Sequence, residues 1–199
     1  MQFTKAEEFI REFLQTKLSP LLFYHDYFHT MEVVKATVEI AKDENITDEE
    51  DLTILKTAAL FHDCGFVNVY HNHEEEGCRI AREKLSLFEY TDDQIEKICD
   101  LIMATKTPQA PKTHLQKIIC DADLYYLGTD AFEEHGNKLF KEWKAKGKVH
   151  SEKDWDELQI NFLDSHRYWT DSAIAKREKK KEENLRKLKI ATDSQISPT

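Results

Sequence analysis

A histidine and an aspartate stand side by side at the end of an apolar run, Ala58-Ala59-Leu60-Phe61-His62-Asp63-Cys64-Gly65-Phe66. Two polar groups among such neighbours need a partner, because burying them unpaired costs several kcal/mol. Adjacent side chains on a helix diverge by about 100°, so a cation lying between the two directions would satisfy both. A histidine–aspartate hydrogen bond at a helix end is the competing reading. Two further places show the same tension. His29 opens a helix after the aromatic stretch Tyr24-His25-Asp26-Tyr27-Phe28, and Asp121 and Asp123 are embedded in Ile118-Ile119-Cys120-Asp121-Ala122-Asp123-Leu124. Neutral imidazole with carboxylate oxygen suits manganese, iron, nickel or zinc, and four protein ligands leave positions open for water and substrate.

The elements that must position these residues are helices. Apolar residues recur at helical spacing, with no sustained alternation of period two, and there are only five glycines and four prolines. Start signals pair a capping residue with an acid or amide three positions later: Thr4 with Glu7, Thr47 with Glu50, Thr91 with Gln94, Asp130 with Glu133. Phe9, Ile10, Phe13 and Leu14 mark a first helix, and Val33, Val34, Val38 and Ile40 mark a second. Leu52 to Phe61 makes a third, which should end near Gly65 in a left-handed exit. Helices are also predicted over 73–87, around Ile95 to Ile102, over 114–127 with Gly128 closing it, and near 130–146 and 152–167. From about Ala175 the sequence is heavily charged with a thin apolar stripe, a solvated helix or a mobile tail. The expected architecture is an all-α, single-domain helical bundle over residues 1–170, followed by a charged C-terminal helix and tail over 171–199.

With 199 residues, 40% of them hydrophobic, the chain can bury one good core. A net charge of −10 argues against general nucleic-acid binding, which needs a basic face. No stretch approaches the roughly 20 apolar residues of a membrane span, and the charged N-terminus lacks the core of a signal peptide. It reads as a cytoplasmic protein. Cys64, Cys78, Cys99 and Cys120 lack zinc-knuckle spacing and are expected to be reduced and mostly buried.

His29, then His62-Asp63, then Asp123 in an Ala-Asp-Leu context, all on helices, resembles the H…HD…D signature of the HD-domain phosphohydrolase superfamily. More locally, Tyr24-His25 with His29-Thr30, Ala104-Thr105-Lys106, the stretch Asp121 to Gly128, and Phe162-Leu163 with His166-Arg167-Tyr168 look like a bacterial subgroup of predicted HD hydrolases. The resemblance covers about residues 24–170. It implies a bundle of the HD-domain type and one divalent ion held by His29, His62, Asp63 and a later aspartate. Manganese is expected first, with iron, nickel, zinc and magnesium as alternatives. Positions 121 and 123 point about 200° apart on a helix, so at most one of them should reach the ion. Asp123 is chosen on the family's motif register, leaving Asp121 to cap, pair or hold a histidine.

The resemblance further implies that Asp63 orients or deprotonates the attacking water and that His25 or His73 protonates the leaving oxygen. His25 matches the acid of cyclic nucleotide phosphodiesterases. His71 and His73 open the helix after the HD pair, and His73 is preferred as a group facing substrate. Lys106 and Arg167 fall in family-like motifs and are the expected phosphate-binding cations. Trp143, Trp155, Trp169, Tyr125, Tyr126 and the charged tail are given no chemistry. Cys64-Gly65-Phe66 lacks the Glu-Asp pair of guanosine tetraphosphate hydrolases, and no Gly-Tyr-Pro motif of cyclic-di-GMP enzymes occurs. The expected partner is a small phosphorylated substrate, a nucleotide first, with an oligomer left open. The rival expectation is a non-catalytic HD module that binds metal or nucleotide and signals through a partner.

Overall fold

The structure, a computed structural model, describes residues 1–196. It is all helical among the described residues: α1 (Phe3–Lys17), α2 (Tyr27–Asp43), α3 (Glu49–Phe61), α4 (His73–Lys84), α5 (Asp92–Ala104), α6 (His114–Asp123), α7 (Phe132–Ala145), α8 (Glu152–Ser165), α9 (Asp171–Ala173) and α10 (Lys179–Ile196). Single 3-10 turns follow at Cys64–Val67, Leu85–Phe88 and Tyr125–Gly128, and a π turn at Ile174–Glu178 joins α9 to α10. No helix among the described residues is long and apolar enough to cross a membrane.

α3 is the axis of the bundle. Its last eight residues are apolar apart from Lys56 and Thr57, and from Thr57 to Phe61 every position is buried. A helix that is hydrophobic all round needs neighbours on all sides, and α1, α2, α5 and α6 supply them. The main core therefore surrounds Ile54, Leu55, Leu60 and Phe61, with Ile10, Ile40, Ile98, Ile102, Ile118 and Ile119 closing on it. A smaller core of Leu127, Phe132 and Leu163 sits against Leu185 and Leu188 of α10. The C-terminal charged stretch is thus a packed helix, laid on α8 and on the 125–128 turn, with Lys181 only 1% exposed. Residues 197–199 of the expected tail lie outside the described residues.

Several start and stop signals act differently from expectation. Thr91 and Gln94 do form a reciprocal capping box. Asp48, not Thr47, caps α3, accepting from the Asp51 amide at 2.9 Å. α1 begins after Gln2, ahead of Thr4, and Ala131 rather than Asp130 precedes α7. Capping boxes at Thr113–Gln116 and Ser151–Asp154 start α6 and α8. Gly65 and Gly128 are not in the left-handed region, where Gly147 is the glycine found. They serve close approach instead. A Cβ on Gly65 would lie 2.0 Å from the His73 carbonyl oxygen, and one on Gly128 would lie 2.5 Å from that of Arg177. All four cysteines are free and buried.

Candidate metal centre

Every donor in the cluster comes from the end of a helix, where a side chain escapes the groove of its own turn. Asp26 caps α2 by accepting from the His29 amide at 2.9 Å, which sets His29 on the first turn. His62 closes α3, and its Nδ1 donates to the Ala59 carbonyl at 2.8 Å, leaving Nε2 as the free ring nitrogen. Asp63 follows directly, and Asp123 is the last residue of α6.

These four side chains converge. Asp63 Oδ2 lies 3.0 Å from His62 Nε2 and 3.4 Å from His29 Nε2. Asp123 Oδ1 lies 3.5 Å from His62 Nε2 and 3.8 Å from His29 Nε2. His29, His62 and Asp123 each offer a ligand atom within 4.8 Å of the others. His29, His62 and Asp63 are buried, yet His29 Nε2, His62 Nε2 and Asp63 Oδ2 have no hydrogen-bond partner. Buried polar atoms are rarely left unpaired, and two imidazole nitrogens with carboxylate oxygens are a donor set that a divalent cation satisfies. Burial opposes charge on His62, but Asp63 and Asp123 outweigh it and hold the imidazole protonated well above its usual range. Burial works against ionised Asp63 as well, and His62, His29 and His73 overcome it, holding the carboxyl well below its usual range. The pocket of donors attracts positive charge.

The second oxygen of Asp63 faces His73 Nε2 at 3.3 Å, and Glu74 Oε1 stands 3.5 Å from the same nitrogen. His73 stacks on Phe66 with ring centroids 3.8 Å apart, and His25 packs on Phe66 at 4.4 Å. His25 is gripped by a residue that sequence reasoning missed. Glu142 of α7, fully buried, meets His25 Nδ1 at 2.5 Å and accepts from the Tyr24 and His25 amides and from the Tyr70 hydroxyl. Burial disfavours charge on His25, and the Glu142 hydrogen bond with nearby Asp63 and Asp123 reverses this, raising its pKa. A trace was present: Glu142 repeats, one heptad on, the buried position of His135, so it falls on the inner stripe of α7. Glu74 left no such trace among the acids that open α4.

Asp121 points elsewhere. Its carboxylate accepts from the Trp169 amide at 2.9 Å and from the Thr170 amide and hydroxyl at 2.8 and 2.7 Å, tying the chain after α8 to α6. Lys106 pairs with Glu75 and donates to Asn72 Oδ1 at 3.1 Å, beside the first turn of α4. Arg167 is not brought to the cluster: its guanidinium donates to the carbonyls of Asp164 and His166, each at 2.7 Å, at the exposed end of α8. His71 is exposed. In contrast, Tyr125, Tyr126, His135 and Arg177 line a trough of about 280 Å³ that His29 and Asp123 also border.

Imidazole and carboxylate donors converging at the edge of an open trough form a group that could hold a metal ion. The HD domain family model matches residues 26–128, over half of the chain, and the chain belongs to that family of metal-dependent hydrolases. The matched span includes His29, His62, Asp63 and Asp123 and leaves out His25, Glu142 and Arg177. Among solved structures, Bacillus subtilis YpgQ in complex with ADP aligns with a TM-score of 0.67 over 98% of this chain and 97% of its own, at 22% identity. A predicted HD superfamily hydrolase from an uncultured Thermotogales bacterium aligns with a TM-score of 0.59 over 97% and 90%, at 21% identity. At these identities the likeness is one of fold. No curated protein matches the chain in sequence.

Proposed function

We propose that the chain is a metal-dependent phosphohydrolase that cleaves a phosphoester of a nucleotide, a cyclic nucleotide or another small molecule. The observation that carries this reading is the convergence of three buried, unpaired donors, His29 Nε2, His62 Nε2 and Asp63 Oδ2, with Asp123 at the mouth of a trough. His29, His62, Asp63 and Asp123 would hold one divalent ion, manganese first. A bound ion of this kind polarises a phosphoryl oxygen and lowers the pKa of a water toward neutrality.

The chain's own residues then divide the protons. Asp63, ionised among the imidazoles around it, would orient the water that attacks phosphorus or take its proton. His25, oriented by the Glu142 carboxylate on its Nδ1, would give a proton to the departing oxygen as its bond to phosphorus breaks. His73 holds the second Asp63 oxygen and faces the same side through Phe66. Lys106, paired with Glu75 beside the first turn of α4, would have to leave that partner to meet a phosphate, and Arg167, bonded to two carbonyls at the end of α8, takes no part. The nucleotide preference draws support from the fold neighbour that holds ADP.

Purified protein loaded with manganese and assayed against generic phosphomonoesters and phosphodiesters, then against nucleotides and cyclic nucleotides, tests the reading. Metal-dependent turnover that His25→Ala lowers by about 10²-fold or more, as loss of a general acid implies, is the expected result. Absence of turnover on every ester, with metal still bound, would instead leave a non-catalytic binding module.

A further inference from the structure

The trough beside the cluster runs along α2. Its lining from that helix extends from His29 through Val33 and Ala36 to Glu39, ten steps along the helix and therefore about 15 Å. Asp123 meets His29 at the start of this run, and Tyr125 and Arg177 meet Glu39 at its far end. At about 280 Å³ it is close to the lower end of ordinary ligand pockets, room for one ring-and-sugar unit and not for a large ligand.

The far end is built with care. The Arg177 guanidinium lies 3.9 Å from the centroid of the Tyr125 ring, and its Nη2 donates to the Tyr125 hydroxyl at 2.5 Å. That hydroxyl donates in turn to Glu39 at 2.6 Å, and Glu39 stands 3.6 Å from Arg177. Arg177 Nε is buried without a hydrogen-bond partner. Its backbone belongs to the π turn Ile174–Glu178, a distortion that recurs at functional sites. Only a glycine at 128 lets that turn press so close, since a Cβ there would meet the Arg177 carbonyl.

Charge decides what such an end would take. Glu39 already neutralises Arg177, and Glu32 adds a second acid to the trough against Lys35, so no unbalanced cation waits for another phosphate. Val33, Ala36, Ala122 and Ala131 give the trough small apolar walls. A guanidinium held over a phenol ring offers a planar cation and an aromatic ring side by side, both of which stack with heteroaromatic rings. We propose that this trough is the subsite for the nucleoside part of a nucleotide whose phosphate lies at the His29, His62, Asp63 and Asp123 cluster, with the Arg177–Tyr125 plane as the platform for the base. The assignment rests on the reading that the cluster binds a phosphate. Arg177 thus brings half of the platform from the C-terminal segment, outside the span matched by the family model, while Tyr125 lies within it.

Calorimetry on the full chain with manganese, using AMP, ribose 5-phosphate and inorganic phosphate, each recovered intact afterwards, tests the subsite. AMP should bind at least ten-fold more tightly than ribose 5-phosphate. Arg177→Ala should abolish that gap and leave phosphate binding unchanged. Arg177→Lys, which keeps the charge and loses the plane, should do the same, and Tyr125→Phe, which keeps the ring, should lose only part of the gap. Equal affinity of the wild type for AMP and ribose 5-phosphate would overturn the proposal. So would a full gap in the lysine variant, or a matched loss of phosphate binding in both Arg177 variants, because each would make Arg177 an anion contact. A gap in binding without any turnover would sink the hydrolase reading and leave the subsite standing, whereas turnover with no gap would do the opposite.

Discussion

Asp121 and Asp123 lie two positions apart on α6, and the helix sends them to opposite tasks. Asp123 joins the imidazole cluster, while Asp121 holds the Trp169–Thr170 backbone through three hydrogen bonds. Asp123→Asn should therefore weaken metal binding with the melting temperature of the metal-free protein nearly unchanged. Asp121→Asn should keep the ion and cost about 1–3 kcal/mol, since an amide nitrogen would face donors that now find an acceptor. Metal analysis and denaturant unfolding of the two variants check this, and the reverse order would move the fourth ligand to Asp121. His166 offers a second test at this scale. Burial and then the Lys181 ammonium push its pKa down to about 3, so the folded imidazole stays neutral where the unfolded one takes a proton. The unfolded state binds more protons between about pH 6.5 and 3, and stability must fall as pH drops through that window. His166→Gln should flatten the fall, by up to about 1.4 kcal/mol per pH unit within the window, as read from unfolding at a series of pH values.

At the scale of elements, the centre depends on helix ends meeting. α3 delivers His62 and Asp63, α2 delivers His29, α6 delivers Asp123, and α4 lays His73 across the HD turn. The last contact needs Gly65. Its would-be Cβ meets backbone, which cannot swing aside as a side chain can, so Gly65→Ala should cost about 3 kcal/mol or more and lower metal affinity by pushing α4 from Asp63. Unfolding and metal titration of the variant measure both, and an unchanged affinity would mean that α4 is not held by this contact. Glycine at 128 does the parallel job for the C-terminal helix, admitting the π turn that carries Arg177 to the trough.

For the whole molecule, the expected metal content is one ion per chain. The helix after α4 ends in Leu101-Ile102-Met103-Ala104, which offers no further donor, although Glu74 stands beside His73, a neighbour not foreseen from the sequence. Elemental analysis after dialysis should return one equivalent, and crystals soaked in manganese should give one strong anomalous peak. A second full peak between Asp63, His73 and Glu74, some 3.5–4 Å from the first as in two-metal sites, would refute this. Because the ion binds the folded state and not the unfolded chain, chelation should lower the melting temperature without dismantling the core around Ile54 and Phe61. A chain that unfolds on chelation would show that the helix ends, and not the core, carry the fold.

What the sequence by itself determined is local. A histidine and aspartate inside an apolar run, or an acid in an isoleucine-rich helix, conflicts with its neighbours wherever the chain goes, and that conflict marked His62, Asp63, Asp121 and Asp123 before any fold was known. Helical spacing likewise settled the all-α bundle, since a period of three to four residues admits no other element. Tertiary structure alone decided the partners. Glu142 meets His25 across 117 residues, Arg177 reaches the trough from a stretch that reads as solvated charge, and Arg167 turns to its own helix end although its motif suggested phosphate. Each of these depends on which faces of distant helices pack together. That choice is made by the summed burial of two cores and by the close approaches at Gly65 and Gly128, and no single stretch of sequence encodes it.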